Sequence, residues 1–387
     1  MNKIALYCNW HVKPVDNGFY ISSLEAKYLH EFYEFSDSDE IYLLSGIDDG
    51  QISDDEIFIP FDQVKLVGIP NLNTYFSAYR NFFKIYSGVR FLLLNCDFIY
   101  IRTPEPFSWL FGIFKKKSQK LVYHFTSDPI DLIKVKYRDM PLKKVFVLLI
   151  FLLEYYFICI SAFFNKSTCN GNSIKKNIPF FLRDKTKILI ESTLPKYKEP
   201  YCRSRYDNNI TSFLCVSRLM HSKGLEQLIE AFSFLTKKYD NIVLNIVGDG
   251  PLKSVLQNKI DSLKLNDSIF LLGFVPNGGD LDLVYQKNEI FINPSLSETG
   301  PRVLIEAMSF SLFCISTDVG YSKYVMSFKD ECFGRIIAPN DIVSLANEME
   351  NAHLNKNDFL DLANRGAKRA SNFTLNNFVS DIVNYLD

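Results

Sequence analysis

Asn293-Pro294-Ser295-Leu296-Ser297-Glu298-Thr299-Gly300-Pro301-Arg302-Val303-Leu304-Ile305-Glu306-Ala307-Met308-Ser309 decides how this 387-residue chain is read. The stretch follows Ile290 to Ile292, a short apolar run that predicts a strand. Polar residues and a Gly-Pro turn come next, then apolar residues at helical spacing, with Pro301 at the first helical position, where its missing N–H costs nothing. Strand, loop and helix in that order form the unit from which parallel sheets are built. Ligands of such sheets bind at the carboxyl ends of the strands, where helix N-termini also point. Glu298 then precedes the helix and Glu306 lies on its second turn. At about 1.5 Å rise per residue the two carboxylates stand roughly 10 Å apart.

The same unit recurs along the chain. Downstream of residue 209, strands are expected at Ser212 to Val216, Ile242 to Val247, Ile269 to Leu272, Ile290 to Ile292 and Phe313 to Ser316, each followed by a loop and a helical stretch. In the first half, strands are expected at Ile4 to Cys8, Ile41 to Ser45, Phe98 to Ile101 and Leu121 to Phe125, with a helix from Ser22 to Phe35. Leu194 to Asn209 is rich in Pro, Lys, Arg and Asn without apolar period and reads as a link. A chain of this length exceeds what one core supports. The expected organisation is α/β: residues 1–195, residues 196–372, and a last helix within 373–387 packing back toward the first domain.

Three loops converge on the carboxyl edge of the second expected sheet. A separation of roughly 10 Å between Glu298 and Glu306 suits the two ends of a nucleotide sugar, the transferred sugar near Glu298 and the ribose near Glu306. Amides from Gly300 to Val303, at the positive helix end, would face the diphosphate. Arg218 and Lys223, in the loop after Val216, would clamp phosphates and stabilise charge on a departing diphosphate. Gly248-Asp249-Gly250-Pro251 would let the backbone approach a ligand closely, although such turns are also common for purely structural reasons.

Taken together, Arg218, Lys223-Gly224, Gly248-Asp249-Gly250-Pro251, Pro294-Ser295, Glu298 and Glu306, in this order and spacing, resemble family 4 glycosyltransferases. The resemblance covers the C-terminal half. It implies a GT-B fold, two Rossmann-like domains with parallel sheets facing a central cleft, a UDP- or GDP-linked sugar donor, retention of anomeric configuration and no obligatory metal or other cofactor. Carried over by motif, Glu298 contacts the transferred sugar, Glu306 the ribose, and Arg218 and Lys223 the phosphates, with Ser295, Gly300, Pro301 and Arg302 lining the donor. Thr317 to Gly320 matches a Thr-x-x-Gly turn beside the donor, but Tyr321 stands where a second glycine is common. In the first half the match is looser. Asp16-Asn17-Gly18 occupies the expected loop after the first strand, His124 stands where the family often places a histidine facing the reaction centre, and Arg102 and Asp128 are further candidates for the acceptor side. A hydrogen-bonded core histidine is the plain alternative for His124.

Composition excludes several classes. Hydrophobic residues make up 47%, charged residues 22%, and net charge is -1, so neither disorder nor nucleic-acid binding is indicated. Eight scattered cysteines lack the close pairs of zinc sites and read as reduced thiols of a cytoplasmic protein. Asp37-Ser38-Asp39 resembles a metal-binding Asp-x-Asp, but joins a helix to the following strand and so lies at the wrong end of the sheet. Val145 to Phe164 is long enough to cross a bilayer, yet Glu154 interrupts it. A helix buried in the first domain with one face at the membrane fits better. Trp109 to Lys117 and the cations Lys134, Lys136, Arg138, Lys143 and Lys144 suit an anionic lipid surface. The expected protein is peripheral on the cytoplasmic face, with a lipid-linked oligosaccharide or growing polysaccharide as acceptor. Rival readings are an inverting transferase, a nucleotide-sugar epimerase, and a carbohydrate-binding protein without catalysis.

Overall fold

The computed structural model describes residues 3–35, 40–53, 55–72, 75–127, 130, 133, 140–195, 200–206 and 209–385. Asp37 to Asp39, Asp128, Lys134, Lys136 and Arg138 lie outside the described residues. The chain forms two compact units, Met1–Ile190 with Leu375–Asp387, and Glu191–Thr374.

The first unit is built on β1 (Ile4–Tyr7), β2 (Lys13–Val15), β3 (Gly18–Ser22), β4 (Ile41–Ile47), β5 (Glu56–Pro60), β6 (Val64–Pro70), β7 (Phe98–Thr103), β8 (Lys120–Phe125), β9 (Lys166–Cys169) and β10 (Thr186–Ile188). Seven of these form one parallel sheet in the order β10-β9-β8-β7-β1-β4-β6. Successive side chains of a strand point to opposite faces, and here both faces are covered. Ala5, Tyr7, Ile99, Ile101 and Tyr123 pack with Ile85 and Val89 of the helix Phe82–Asn95 and with Phe151, Tyr155 and Ile158 of the helix Pro141–Phe163. Ile4, Leu6, Phe98, Tyr100 and Val122 pack the other way, against Tyr28, Leu29 and Phe32 of Ser23–Phe35 and Phe378, Val379 and Ile382 of the last helix, Leu375–Asn384. Burial on both faces explains why β1 reads as an unbroken apolar run.

The short strands β2, β3 and β5 form a separate antiparallel sheet. They change one expectation. Gly18 does not sit in an open loop after β1 but begins β3, opposite Pro60, and a Cβ there would meet Ile59 O at 2.3 Å. Its missing side chain serves strand packing.

Pro141–Phe163 is the one helix among the described residues with the length and composition to cross a membrane, and a third of its most apolar window is buried. Glu154 is buried on its inner side and accepts a hydrogen bond from Phe107 N. Burial pushes the Glu154 carboxyl up to about 7.

The second unit is one parallel sheet with order β13-β12-β11-β14-β15-β18. Its strands are β11 (Thr211–Val216), β12 (Ile242–Val247), β13 (Ile269–Gly273), β14 (Ile290–Asn293), β15 (Phe313–Thr317) and β18 (Gly334–Ile337), with β16 (Ser327–Phe328) and β17 (Glu331–Cys332) as a small hairpin. Phe213, Leu244, Ile290 and Ile315 meet Leu228 and Phe232 of the helix Leu225–Leu235 and Met349 of Ile342–Leu354. On the opposite face Tyr285 packs between Phe291 and Phe310.

Much of the expected link belongs to this unit. Tyr206 is buried, and Arg203 donates to the carbonyls of Phe310, Tyr285 and Gln286 at 2.9–3.2 Å. The unit therefore begins at Glu191, ahead of the polar stretch, because scattered anchors rather than an apolar period hold the segment down.

Candidate functional site

After β11 the chain builds β12 and β13 on one side, then returns to place β14 on the other. The order of the sheet reverses at that point, and the loops after β11 and β14 are left to line a crevice at its carboxyl edge. β11 and β14 pair at Phe213↔Ile290 and Leu214↔Phe291, before both strands end.

The two loops are fastened by backbone and by charge. Leu296 N donates to Ser222 O at 2.8 Å. Gly224 adopts a left-handed conformation (φ 64°), and a Cβ on it would lie 2.1 Å from Pro294 O, so only glycine allows this approach. That turn carries Lys223 to an ion pair with Glu298. Ser295 Oγ lies 3.2 Å from the same carboxylate and 2.9 Å from Asn293 Oδ1. Asn293 Nδ2 donates to Ser316 Oγ, and Thr317 Oγ1 donates to Ser295 O at 2.6 Å, so the next strand props the loop from beneath. Arg218 is exposed, with no ion pair among the described residues.

The remaining expected donor residues fall around this loop, several with roles of their own. At Gly248 (φ 137°) a Cβ would strike Ser217 O at 1.8 Å, and at Gly250 it would meet Leu219. Gly320 closes in the same way on Thr299. The Cβ side of each glycine is taken by a neighbouring loop's backbone, so their small size serves loop packing. Tyr321, where a second glycine was the pattern, is buried and hydrogen bonds to Glu191 O at 3.5 Å. The helix Arg302–Ser309 starts one residue later than expected, with Pro301 as its N-cap. One of the amides expected to face a ligand is used locally, Arg302 N donating to Gly300 O at 3.0 Å, and just beyond that stretch Leu304 N donates to Pro301 O at 3.0 Å. Arg302 stands 3.6 Å from the buried Glu191 carboxylate.

Glu306 is buried and well partnered. Tyr285 donates to Oε2 at 2.9 Å, and Thr193 and Asn277 donate to Oε1. Thr193 and Asn277 lie outside every motif considered in the sequence. Polar residues in loops have no period to betray them.

In the first unit the sheet order reverses beside β1, which makes the loops after β1 and β7 its equivalent edge. Arg102, half-buried in β7, faces Glu105 in the loop that follows. Glu105 accepts from Asn9 N at 3.2 Å and joins the two loops. Enough protein surrounds Glu105 that burial pushes its carboxyl up to about 8, against the pull of Asn9 N and Arg102. Glu105 was not singled out from sequence, and its place directly after a strand is the signal that marked it. His124 corrects an expectation. Its ring is fully buried in β8, bonded through Nδ1 to Thr168 Oγ1 at 2.8 Å and packed between Tyr100 and Phe378. Alternation turns this side chain into the core, so His124 is a core histidine and not a group facing substrate.

Comparison with known proteins agrees with this architecture. Residues 205–371 match the model of the glycosyl transferases group 1 family. A segment is 40% identical over 121 residues to the alpha-monoglucosyldiacylglycerol synthase of Acholeplasma laidlawii, covering 31% of this chain and 30% of that relative's length. A glycosyltransferase structure from Rickettsia africae superposes with a TM-score of 0.68 at 16% identity, covering 100% of this chain and 97% of the other. The HepE protein of Anabaena, in complex with UDP-glucose, superposes with a TM-score of 0.64 at 16% identity over 99% of both chains. The fold is GT-B.

Proposed function

We propose, from the premise of a glycosyl transferases group 1 segment at residues 205–371 set in a GT-B fold, that the protein is a glycosyltransferase of the retaining kind. It moves a hexose from a UDP- or GDP-linked donor to a hydroxyl of a lipid or lipid-linked saccharide. The observation that carries this is the Lys223–Glu298 ion pair across the two loops where the second sheet reverses. It balances a cation and an anion at the edge where a ligand of such a sheet binds, with the exposed Arg218 in the same β11 loop.

A nucleoside diphosphate arriving there gives Lys223 a second anionic partner and gives Arg218 its first. As the bond from the sugar's anomeric carbon to the phosphate oxygen breaks, its electron pair moves onto the diphosphate. Cations already fixed in place stabilise that charge without reorganising. Glu298 offsets positive charge on the sugar. The acceptor oxygen bonds to the same face of the anomeric carbon and its proton passes to the departing phosphate oxygen, so neither a side-chain base nor an obligatory metal is required. Glu306 and its three donors serve the ribose end. Acceptor binding falls to the first unit, and the protein works as a peripheral protein on the cytoplasmic face of a membrane. The Acholeplasma relative, whose name specifies a diacylglycerol product, supports the lipid side of this reading.

Thermal-shift screening against nucleoside diphosphates and their sugars identifies the donor. NMR of the product then reads the anomeric configuration, with retention expected. Inversion, an epimerised free nucleotide sugar, or undiminished turnover by Glu298→Gln would each overturn the mechanism.

A further inference from the structure

We infer that the outward face of the helix Pro141–Phe163 lies flat in an anionic bilayer surface, as an in-plane anchor and not a spanning segment. The inference deepens the peripheral-membrane part of the preceding reading and rests on it, but not on the donor chemistry.

Leu142, Phe146, Leu149, Leu153, Phe157 and Phe164 recur at helical spacing along one face, and all six are exposed, Leu142 by 88% and Phe164 by 77%. No charged side chain interrupts them, because Glu154, the only acid of the helix, is turned inward. The opposite face cannot leave the protein. Phe151, Tyr155, Ile158 and Ala162 are part of the sheet's core, and Glu154 holds Phe107 N. A helix some 34 Å long at about 1.5 Å per residue, with one side sealed by its own domain and the other carrying an apolar stripe beyond the lysines of its first turn, is fit to lie along a surface.

The charges name that surface. Lys143 stands exposed at one end. At the other, Lys185 sits 3.6 Å over the Phe163 ring, and Lys166 and Lys187 flank Tyr385. The helix Trp109–Phe114, whose Gly112 abuts Ser161, leads into Lys115 to Lys117. Exposed Asp184 stands beside Lys185. Phe180, 82% exposed, extends the apolar face past Phe164 through the rings of Phe181 and Phe163. Cations at both ends with aromatics between them match a headgroup layer met side-on.

The test is flotation of the full chain with vesicles of phosphatidylcholine, alone or containing about one third phosphatidylglycerol. Flotation is expected with the anionic vesicles and is expected to be lost, by about tenfold or more, in Leu149→Glu/Leu153→Glu, whose far-UV spectrum and nucleotide-induced thermal shift stay as in the parent. An environment-sensitive dye on a cysteine at position 142, 153 or 164, in a Cys202→Ser background, reads orientation. Blue shifts at all three positions support the in-plane anchor, whereas a shift confined to one end overturns it. Failure to float with either vesicle also overturns it, as does a concentration-dependent dimer abolished by the double substitution, which assigns the face to a second copy. If the unsubstituted chain shifts thermally with a nucleotide but floats with neither vesicle, the anchor falls and the transferase reading stands.

Discussion

Lys223 and Glu298 show how much of a site one residue pair can report. Each was singled out by its place after an expected strand, and the structure joins them in an ion pair. Removing the cation leaves a carboxylate beside the position proposed for the diphosphate. Lys223→Met is therefore expected to weaken nucleotide binding about tenfold and to lower kcat/KM by about 10² to 10³, the scale of losing one donor to developing charge; isothermal titration and steady-state kinetics check both. His124 tests the opposite case. His124→Leu strands the Thr168 hydroxyl in the core and is expected to cost about 1–3 kcal/mol of stability. Turnover by the folded fraction is expected to stay within about twofold of the parent, well short of the loss that removing a general acid or base brings. A large fall in kcat without loss of stability would return His124 to the reaction centre.

Among the elements, the turns were the least legible part. Their polar residues announced a loop, but nothing in Gly224 or Gly248 said which backbone each would meet, since that depends on strand order. Gly224→Ala places a Cβ against Pro294 O in a left-handed conformation. At least about 1–2 kcal/mol is expected from the conformation alone, more from the clash, together with weaker nucleotide binding as Lys223 swings away from Glu298. Chemical denaturation and thermal shift follow the two effects separately. The helix Pro141–Phe163 was legible as a long apolar run interrupted by Glu154, but not in which way Glu154 turns or which half of its surface stays bare. Glu154 makes the pH behaviour of this element calculable. Its carboxyl is raised from 4.5 to about 7 by burial, so its contribution to stability is fully present below about 4.5 and is lost as pH rises through about 7. The span is worth at most about 3 kcal/mol. Glu154→Gln is expected to flatten the fall in melting temperature between about pH 5 and 7.5, read by calorimetry. An unchanged slope would mean that the carboxyl is already charged.

At the scale of the molecule, the alternation of strand and helix was enough to give two α/β units, because fully buried parallel strands write themselves as apolar runs. β6, β9, β10, β18 and the β2-β3-β5 sheet escaped notice. Thr186–Ile188 is too short to carry a period, and Lys13–Val15 contains a proline. The start of the second unit was hidden for another reason, since Arg203 and Tyr206 are isolated anchors in a polar stretch. Ending the chain at Thr374 removes Phe378, Val379 and Ile382 from the first unit's core. Several kcal/mol are expected to go with them, at about 1.5–3 each. The second unit's nucleotide-induced thermal shift is expected to survive, and its loss would show that the two units do not unfold separately.

The path of the chain, out of the first unit at Glu191 and back at Leu375, also sets an order of events at the ribosome. The Tyr28, Phe32 and Tyr100 side chains emerge early and wait for the segment that covers them until all of Glu191–Thr374 has been synthesised. During that interval the second unit has its whole sequence and can fold first, while the earlier-made half carries a bare hydrophobic seam. Slowing translation within residues 191–374 lengthens the exposure of that seam.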